Sequence, residues 1–144
     1  MSTWSGRSCA RRGAWAWLVL AVAAAAAAGA LTGCSSSQPA YCTDRASLQN
    51  SVKGLTSLNF SDVSGVKSQV DKVQSDATAV VSSAKGEFPS QTSAITSSVD
   101  ALKKSVTALS SSPSAADIAT VAKDAASVAS SVKTFNDATS SQCG

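Results

Sequence analysis

Residues 63–84 read VSGVKSQVDKVQSDATAVVSSA, and the apolar residues of this stretch recur at alternating intervals of three and four. They are Val63, Val66, Val70, Val73, Ala77, Val80 and Ala84. No charged residue occupies any of these positions. Because an α-helix makes one turn every 3.6 residues, this spacing places all seven on one face. The stretch therefore predicts an amphipathic helix whose apolar seam packs against other helices.

The same spacing appears in two later segments, and a weaker version appears in an earlier one. The third segment has Phe88, Thr92, Ile95, Val99, Leu102, Val106 and Leu109. The fourth has Ile118, Val121, Ala125, Val128, Val132 and Phe135. A shorter first helix is indicated by Leu48, Val52 and Leu55, although Gly54 weakens it. Lys85-Gly86 and Ser110–Pro113 separate the segments. Gly86 is able to adopt a positive φ, and Ser114 with Asp117 resembles a capping box.

These four segments predict an all-α fold, an antiparallel up-and-down four-helix bundle with a short first helix and three longer ones. Short connections make successive helices antiparallel. An even number of helices returns the chain to the end where it began. We also expect close helix approach at two rows of alanines spaced by seven residues, which are Ala94, Ala101 and Ala108, and Ala115, Ala122 and Ala129.

The start of the chain has the features of an export signal. Arg11-Arg12 precedes an apolar run over 14–31, which ends in Leu31-Thr32-Gly33-Cys34. This tetrapeptide resembles the lipobox of bacterial lipoproteins. The resemblance implies a signal peptide over 1–33 and a lipid anchor, palmitate included, on Cys34. A membrane-spanning helix is the alternative interpretation of the run. The arginine pair leaves the general secretory and twin-arginine export routes both open.

The lipobox divides the rest of the chain into two parts. We expect a lipid anchor and flexible tether over 34–42, followed by a helical bundle domain over 43–144. Eight residues from Cys34 to Cys42 span at most about 26–29 Å, which would keep the bundle close to the membrane.

The four cysteines fit this division. Cys9 lies in the predicted signal peptide and Cys34 takes the lipid, which leaves Cys42 and Cys143. An even remainder in an exported protein favours a disulfide, with two free thiols as the alternative. In an even-numbered bundle these two cysteines lie at the same end.

Charge and composition restrict the function. The chain has 12 basic and nine acidic residues, and Arg7, Arg11 and Arg12 precede Cys34, so the predicted mature part is neutral. A neutral domain is a poor candidate for binding nucleic acid. The chain has no histidine, so no Ser-His-Asp or Cys-His set can form, and we expect no enzyme activity, metal site or cofactor. Asp71, Asp76, Asp100 and Asp124 are interpreted as solvated residues of polar helix faces.

The predicted mature part as a whole is similar to small secreted or lipid-anchored proteins of high-GC Gram-positive bacteria. The shared features are a cysteine shortly before the first helix, the segment Val70-Asp71-Lys72-Val73-Gln74 and a terminal cysteine. This resemblance implies a fold and a location at the extracytoplasmic face of the cell membrane, but no activity. The first functional hypothesis is a non-catalytic envelope protein, a spacer or adaptor that binds a protein or cell-wall partner. The alternative is a carrier of an apolar, lipid-like ligand.

Overall fold

The computed structural model describes residues 38–144, and in this part of the chain all regular structure is helical. The helices are α1 Ala40–Thr56, α2 Val63–Ala84, α3 Pro89–Ser111 and α4 Ala115–Cys143. α1 has 17 residues, and the others have 22, 23 and 29. Each helix packs against its two neighbours in the ring α1–α2–α3–α4. The predicted four-helix bundle with a short first helix is confirmed. The predicted signal peptide and lipobox lie outside the described residues.

The core consists of the residues that the three-and-four spacing selects. On α2, all seam positions from Val66 to Ala84 are buried, and on α3 all from Thr92 to Leu109 are buried. On α4 the buried row runs from Val121 through Phe135 and continues to Thr139 and Cys143. The outermost seam residues Val63, Phe88 and Ile118 are half-buried and pack against this core. The apolar seam therefore accounts for the fold, because each helix buries one stripe against its neighbours.

Side chains at the helix starts satisfy backbone N–H groups that have no partner within the helix. Asp62 precedes α2 and accepts a hydrogen bond from the Gly65 N–H at 3.1 Å. This bond, with a second from the Ser64 hydroxyl, holds the pKa of Asp62 below its usual value. Ser114 accepts a hydrogen bond from the Asp117 N–H at 3.1 Å, which confirms the predicted cap of α4.

The turn between α2 and α3 differs from the expected geometry. We anticipated a positive φ at Gly86, but among the described residues only Gly144 has one. The chain leaves α2 through hydrogen bonds from the N–H groups of Glu87 and Phe88 to the Ala84 carbonyl, at 3.1 and 2.8 Å. Pro89 then occupies the first turn of α3, as predicted.

The first helix begins earlier than the expected domain boundary at residue 43. α1 starts at Ala40, and both Tyr41 and Cys42 are buried. Pro39 stands immediately before the helix, and its carbonyl accepts the Cys42 N–H at 2.9 Å. A proline at a helix start costs little, because the first N–H groups have no helical partner. The folded part thus includes residues that the sequence assigns to the tether.

The expected close approach at the alanine rows is wrong for α3. Ala94, Ala101 and Ala108 are exposed, and so is Ala115 on α4. Each α3 alanine lies two residues after a seam position, which is a rotation of about 200° around the helix axis, so the row points outward. Ala129 alone of the six packs against the core as a half-buried residue.

Candidate functional site

The two cysteines that the sequence predicts to pair are joined at one end of the bundle. Cys42, in the first turn of α1, forms a disulfide with Cys143, the last residue of α4. Their Cα atoms lie 5.3 Å apart. The Gln38 side chain donates a hydrogen bond from Nε2 to the Cys143 carbonyl oxygen at 2.8 Å. The predicted disulfide is confirmed, and we call the end that contains it the stapled end.

The remaining site residue, Cys34, lies outside the described residues. Its lipidation therefore stays a prediction. The described chain begins four positions later, at Gln38.

Three aromatic rings fill the core next to the disulfide. Tyr41, Phe88 and Phe135 pack edge to face in all three pairs, with ring centroids 5.5 to 6.4 Å apart. The Tyr41 hydroxyl donates to Oε2 of Glu87 at 3.3 Å. Burial raises the pKa of Tyr41, and the Glu87 carboxylate adds to the shift through its charge and the hydrogen bond. Edge-to-face pairs contribute about 0.5–1.5 kcal/mol beyond the area they bury. The cluster fixes the α2–α3 turn against the start of α1.

Tyr41 is the main residue of this cluster that the sequence did not indicate. It stands one residue before Cys42, in a stretch interpreted as tether. The signal that identifies it in hindsight is spacing, because Tyr41 and Leu48 lie seven residues apart, as expected of one helix face. Pro39 obscures this spacing, because a proline just before Tyr41 suggests that the helix starts later.

Two reciprocal Ser–Asp hydrogen bonds join α1 to α2. Ser51 of α1 donates to Oδ2 of Asp76 at 2.6 Å, and Ser83 of α2 donates to Oδ2 of Asp44 at 2.7 Å. Within each helix the serine and the aspartate are seven residues apart. The two bonds therefore lie about two helical turns apart along the interface, and each helix donates one and accepts the other. Hydrogen bonds to charged groups are among the stronger ones, so this pair fixes the register of the α1–α2 hairpin.

These bonds correct the interpretation of Asp76 as a solvated residue. Asp76 is half-buried, and so is Asp124, whereas Asp71 and Asp100 are exposed as expected. A third bond supports the same interface, since Gln69 Nε2 donates to the Ser51 carbonyl at 2.7 Å. The polar groups of α1 and α2 thus have a structural role.

The contact between α1 and α4 also includes a polar group. Arg45 Nη1 donates to Oγ1 of Thr139 at 3.2 Å and to the Asn136 carbonyl at 3.5 Å. Thr139 is fully buried, and its own hydroxyl donates to the Phe135 carbonyl at 2.8 Å. Arg45 therefore orients α1 against the last two turns of α4, next to the disulfide.

A surface groove follows the line between α2 and α3. The buried side chains of Val70 and Val106 form part of its floor. The rims carry both signs of charge and several hydroxyls, from Lys67, Asp71, Thr78, Asp100, Lys103 and Thr107. The two lysines and the two aspartates balance, so this surface has no net attraction for a polyanion.

The described residues contain no grouping of metal-binding type. Within 38–144, no three side chains of the His, Cys, Asp or Glu type lie close enough to hold a metal ion. No described helix combines the length and the apolar character that a membrane span requires.

Comparisons with protein-family models, with curated proteins and with solved structures find no match to this chain.

Proposed function

We propose that this protein is a lipid-anchored, non-catalytic component of the cell envelope. In this proposal Cys34 carries the lipid at the extracytoplasmic face of the membrane. The bundle acts as a spacer or adaptor that binds a protein or cell-wall partner.

The observation that carries the proposal is the Cys42–Cys143 disulfide. Structural disulfides persist in oxidising compartments and are rare in reducing ones. This one joins the first turn of α1 to the last residue of α4 at a Cα–Cα distance of 5.3 Å, and Cys42 lies eight positions after the lipobox cysteine. A disulfide and a lipobox are independent features, and both favour export.

The non-catalytic part of the proposal is supported by how the polar groups are used. The Asp44 and Asp76 carboxylates accept hydrogen bonds from serines across the α1–α2 interface. Arg45 is bonded to α4, and the Glu87 carboxylate to the Tyr41 hydroxyl. These contacts position helices, which gives each of these four side chains a structural role.

Substitution of the lipobox cysteine tests the anchor. Cys34→Ala is expected to move the protein out of the membrane fraction or to leave an unprocessed precursor. Intact mass spectrometry of the wild type is expected to show an acylated chain that begins at Cys34. Cys9→Ala is the matched control, because that cysteine lies in the predicted signal peptide and its loss should change neither result. A Cys34→Ala protein that stays membrane-bound at mature size would contradict the proposal.

In-cell crosslinking tests the adaptor role. A photoreactive side chain at Ser112, in the exposed loop between α3 and α4, is expected to form a discrete adduct with one protein or with cell-wall polymer. The same reactive side chain at exposed Lys72, on the outer surface of α2, serves as the positional control. Native mass spectrometry of the purified protein addresses the carrier alternative. A stoichiometric co-purified lipid, without any adduct at Ser112, would favour that alternative over the adaptor.

A further inference from the structure

The point where the chain joins the bundle is fixed tightly to the stapled end. Gln38 is bonded to the Cys143 carbonyl at 2.8 Å, and α1 begins two residues later. Gln38 lies four positions after Cys34, and four steps along the chain span at most about 13–14 Å. If Cys34 carries the lipid, as the proposed function requires, Gln38 cannot move farther than this from the anchor point.

The turn between α2 and α3, Lys85–Phe88, lies at this same end. The centroids of the Phe88 and Tyr41 rings lie 5.5 Å apart, and the Glu87 carboxylate accepts a hydrogen bond from the Tyr41 hydroxyl. Tyr41 is only three residues after Gln38, which is one helical turn. The turn therefore stands beside the point where the chain enters the bundle, within the reach of the short link.

Gly86, at the apex of this turn, has no role that the fold itself explains. Its φ is not positive, so the backbone does not require a glycine there. A Cβ atom built at this position meets no heavy atom within 4 Å, so packing does not require a glycine either. A residue without a side chain at an exposed apex allows another surface to approach the backbone closely.

From the short link, the position of the turn and the bare apex, we propose that Lys85–Phe88 lies against the headgroup layer of the lipid bilayer. The exposed part of the turn carries one cation, Lys85, and one anion, Glu87. Because these two charges cancel, the turn has no net electrostatic attraction for the membrane. The short link to Cys34 is what holds the turn against the headgroups. The contact is therefore independent of the fraction of anionic lipid in the membrane.

The absence of tryptophan after Cys34 provides a clean test. Trp4, Trp15 and Trp17 all lie in the predicted signal peptide, so a single introduced tryptophan is the only one in the mature protein. Ser90→Trp places this reporter at the exposed start of α3, beside the turn, and keeps Gly86 and both charges of the turn. Ser112→Trp places it in an exposed loop at the opposite end, about 35 Å away along α3. Each purified lipidated protein is reconstituted into phosphatidylcholine vesicles that contain a nitroxide-labelled headgroup lipid, which quenches fluorescence only at short range.

The expected result is that Ser90→Trp is quenched several-fold more strongly than Ser112→Trp. The ratio should be unchanged when part of the phosphatidylcholine is replaced by phosphatidylglycerol. Vesicle flotation is measured on the same samples, and it separates the two proposals. If the protein floats but both positions are quenched equally, the proposed contact of the turn with the headgroups is wrong, and the lipid anchor at Cys34 is still supported. Protein that does not float overturns the anchor and the contact together. If Ser90→Trp reduces helicity, Lys85→Trp carries the reporter in its place.

Discussion

Removal of the Cys42–Cys143 disulfide is expected to lower the unfolding midpoint of the bundle by about 20 °C. The bridge joins residues 101 positions apart. For a loop of that size the chain-entropy model gives about 4.7 kcal/mol at 25 °C. A domain of about 100 residues unfolds with an entropy of about 0.2 kcal/mol/K near 60 °C, and the ratio of these values gives the shift.

The measurement compares the oxidised wild type with the Cys42→Ser/Cys143→Ser double variant. Thermal unfolding is followed by far-ultraviolet circular dichroism, and urea unfolding gives the dependence of stability on denaturant. Without the crosslink the unfolded chain exposes more surface, so the denaturant slope should rise. The double variant avoids the free thiol that a single substitution would leave. Ser141→Ala is the control, because Ser141 is exposed beside the disulfide and bonds only to the neighbouring Gln142.

Two results would refute this reasoning. A midpoint shift below about 5 °C would show that the crosslink hardly restrains the unfolded chain. A reduced wild type that unfolds much later than the double variant would show that the serine hydroxyls, buried at these positions, cause the loss. The entropic account requires the reduced protein and the double variant to agree.

Three further predictions concern single side chains, each measured by urea unfolding of the oxidised protein. Ser51→Ala is expected to cost about 1.5–3 kcal/mol, because it leaves the half-buried Asp76 carboxylate without its donor. The exposed Asp71→Ala serves as its control, with a change within about 0.5 kcal/mol. Phe135→Ala is expected to cost about 3–5 kcal/mol, since the ring is fully buried among the aromatic residues of the stapled end, and a smaller loss would show that the cluster can collapse around the cavity. Asp62→Ala is expected to destabilise α2 at neutral pH. The Asp62 carboxylate has a lowered pKa, so its contribution is present above the unfolded pKa of about 3.9 and disappears as the pH falls through the folded value. A difference in stability between wild type and Asp62→Ala that does not decrease as the pH is lowered from 7 into the acid range would contradict this assignment.

The apolar seams made most of the fold predictable. Along α2 the apolar residues from Val66 to Ala84 follow the spacing of a helix face, and all of these seam residues are buried. The disulfide followed from the two cysteines that remain after Cys34, and the helix count agreed with it, because an even number of helices brings Cys42 and Cys143 to one end. These features depend on a repeated pattern over many residues, which a few local departures do not disturb.

The polar contacts were not predictable in the same way. Ser51 and Ser83 are two serines among many, and nothing local distinguishes them from exposed ones. Their partners Asp76 and Asp44 become identifiable only when the antiparallel register is known, because each bond joins residues on different helices. The prediction that the alanine row of α3 packs closely against another helix was wrong for a related reason. A sevenfold spacing shows that residues share a face, but it does not show which face is buried.

The disulfide also makes the folded part a closed covalent ring. Every residue between Cys42 and Cys143 is connected to Gln38 by two routes, one through α1 and one through the bridge into α4. A protease that cuts once in the exposed loop around Pro113 therefore releases no fragment. Both pieces stay covalently attached to the same link until the disulfide is reduced. A nicked molecule would keep its full mass on a non-reducing gel and separate into two bands only after reduction.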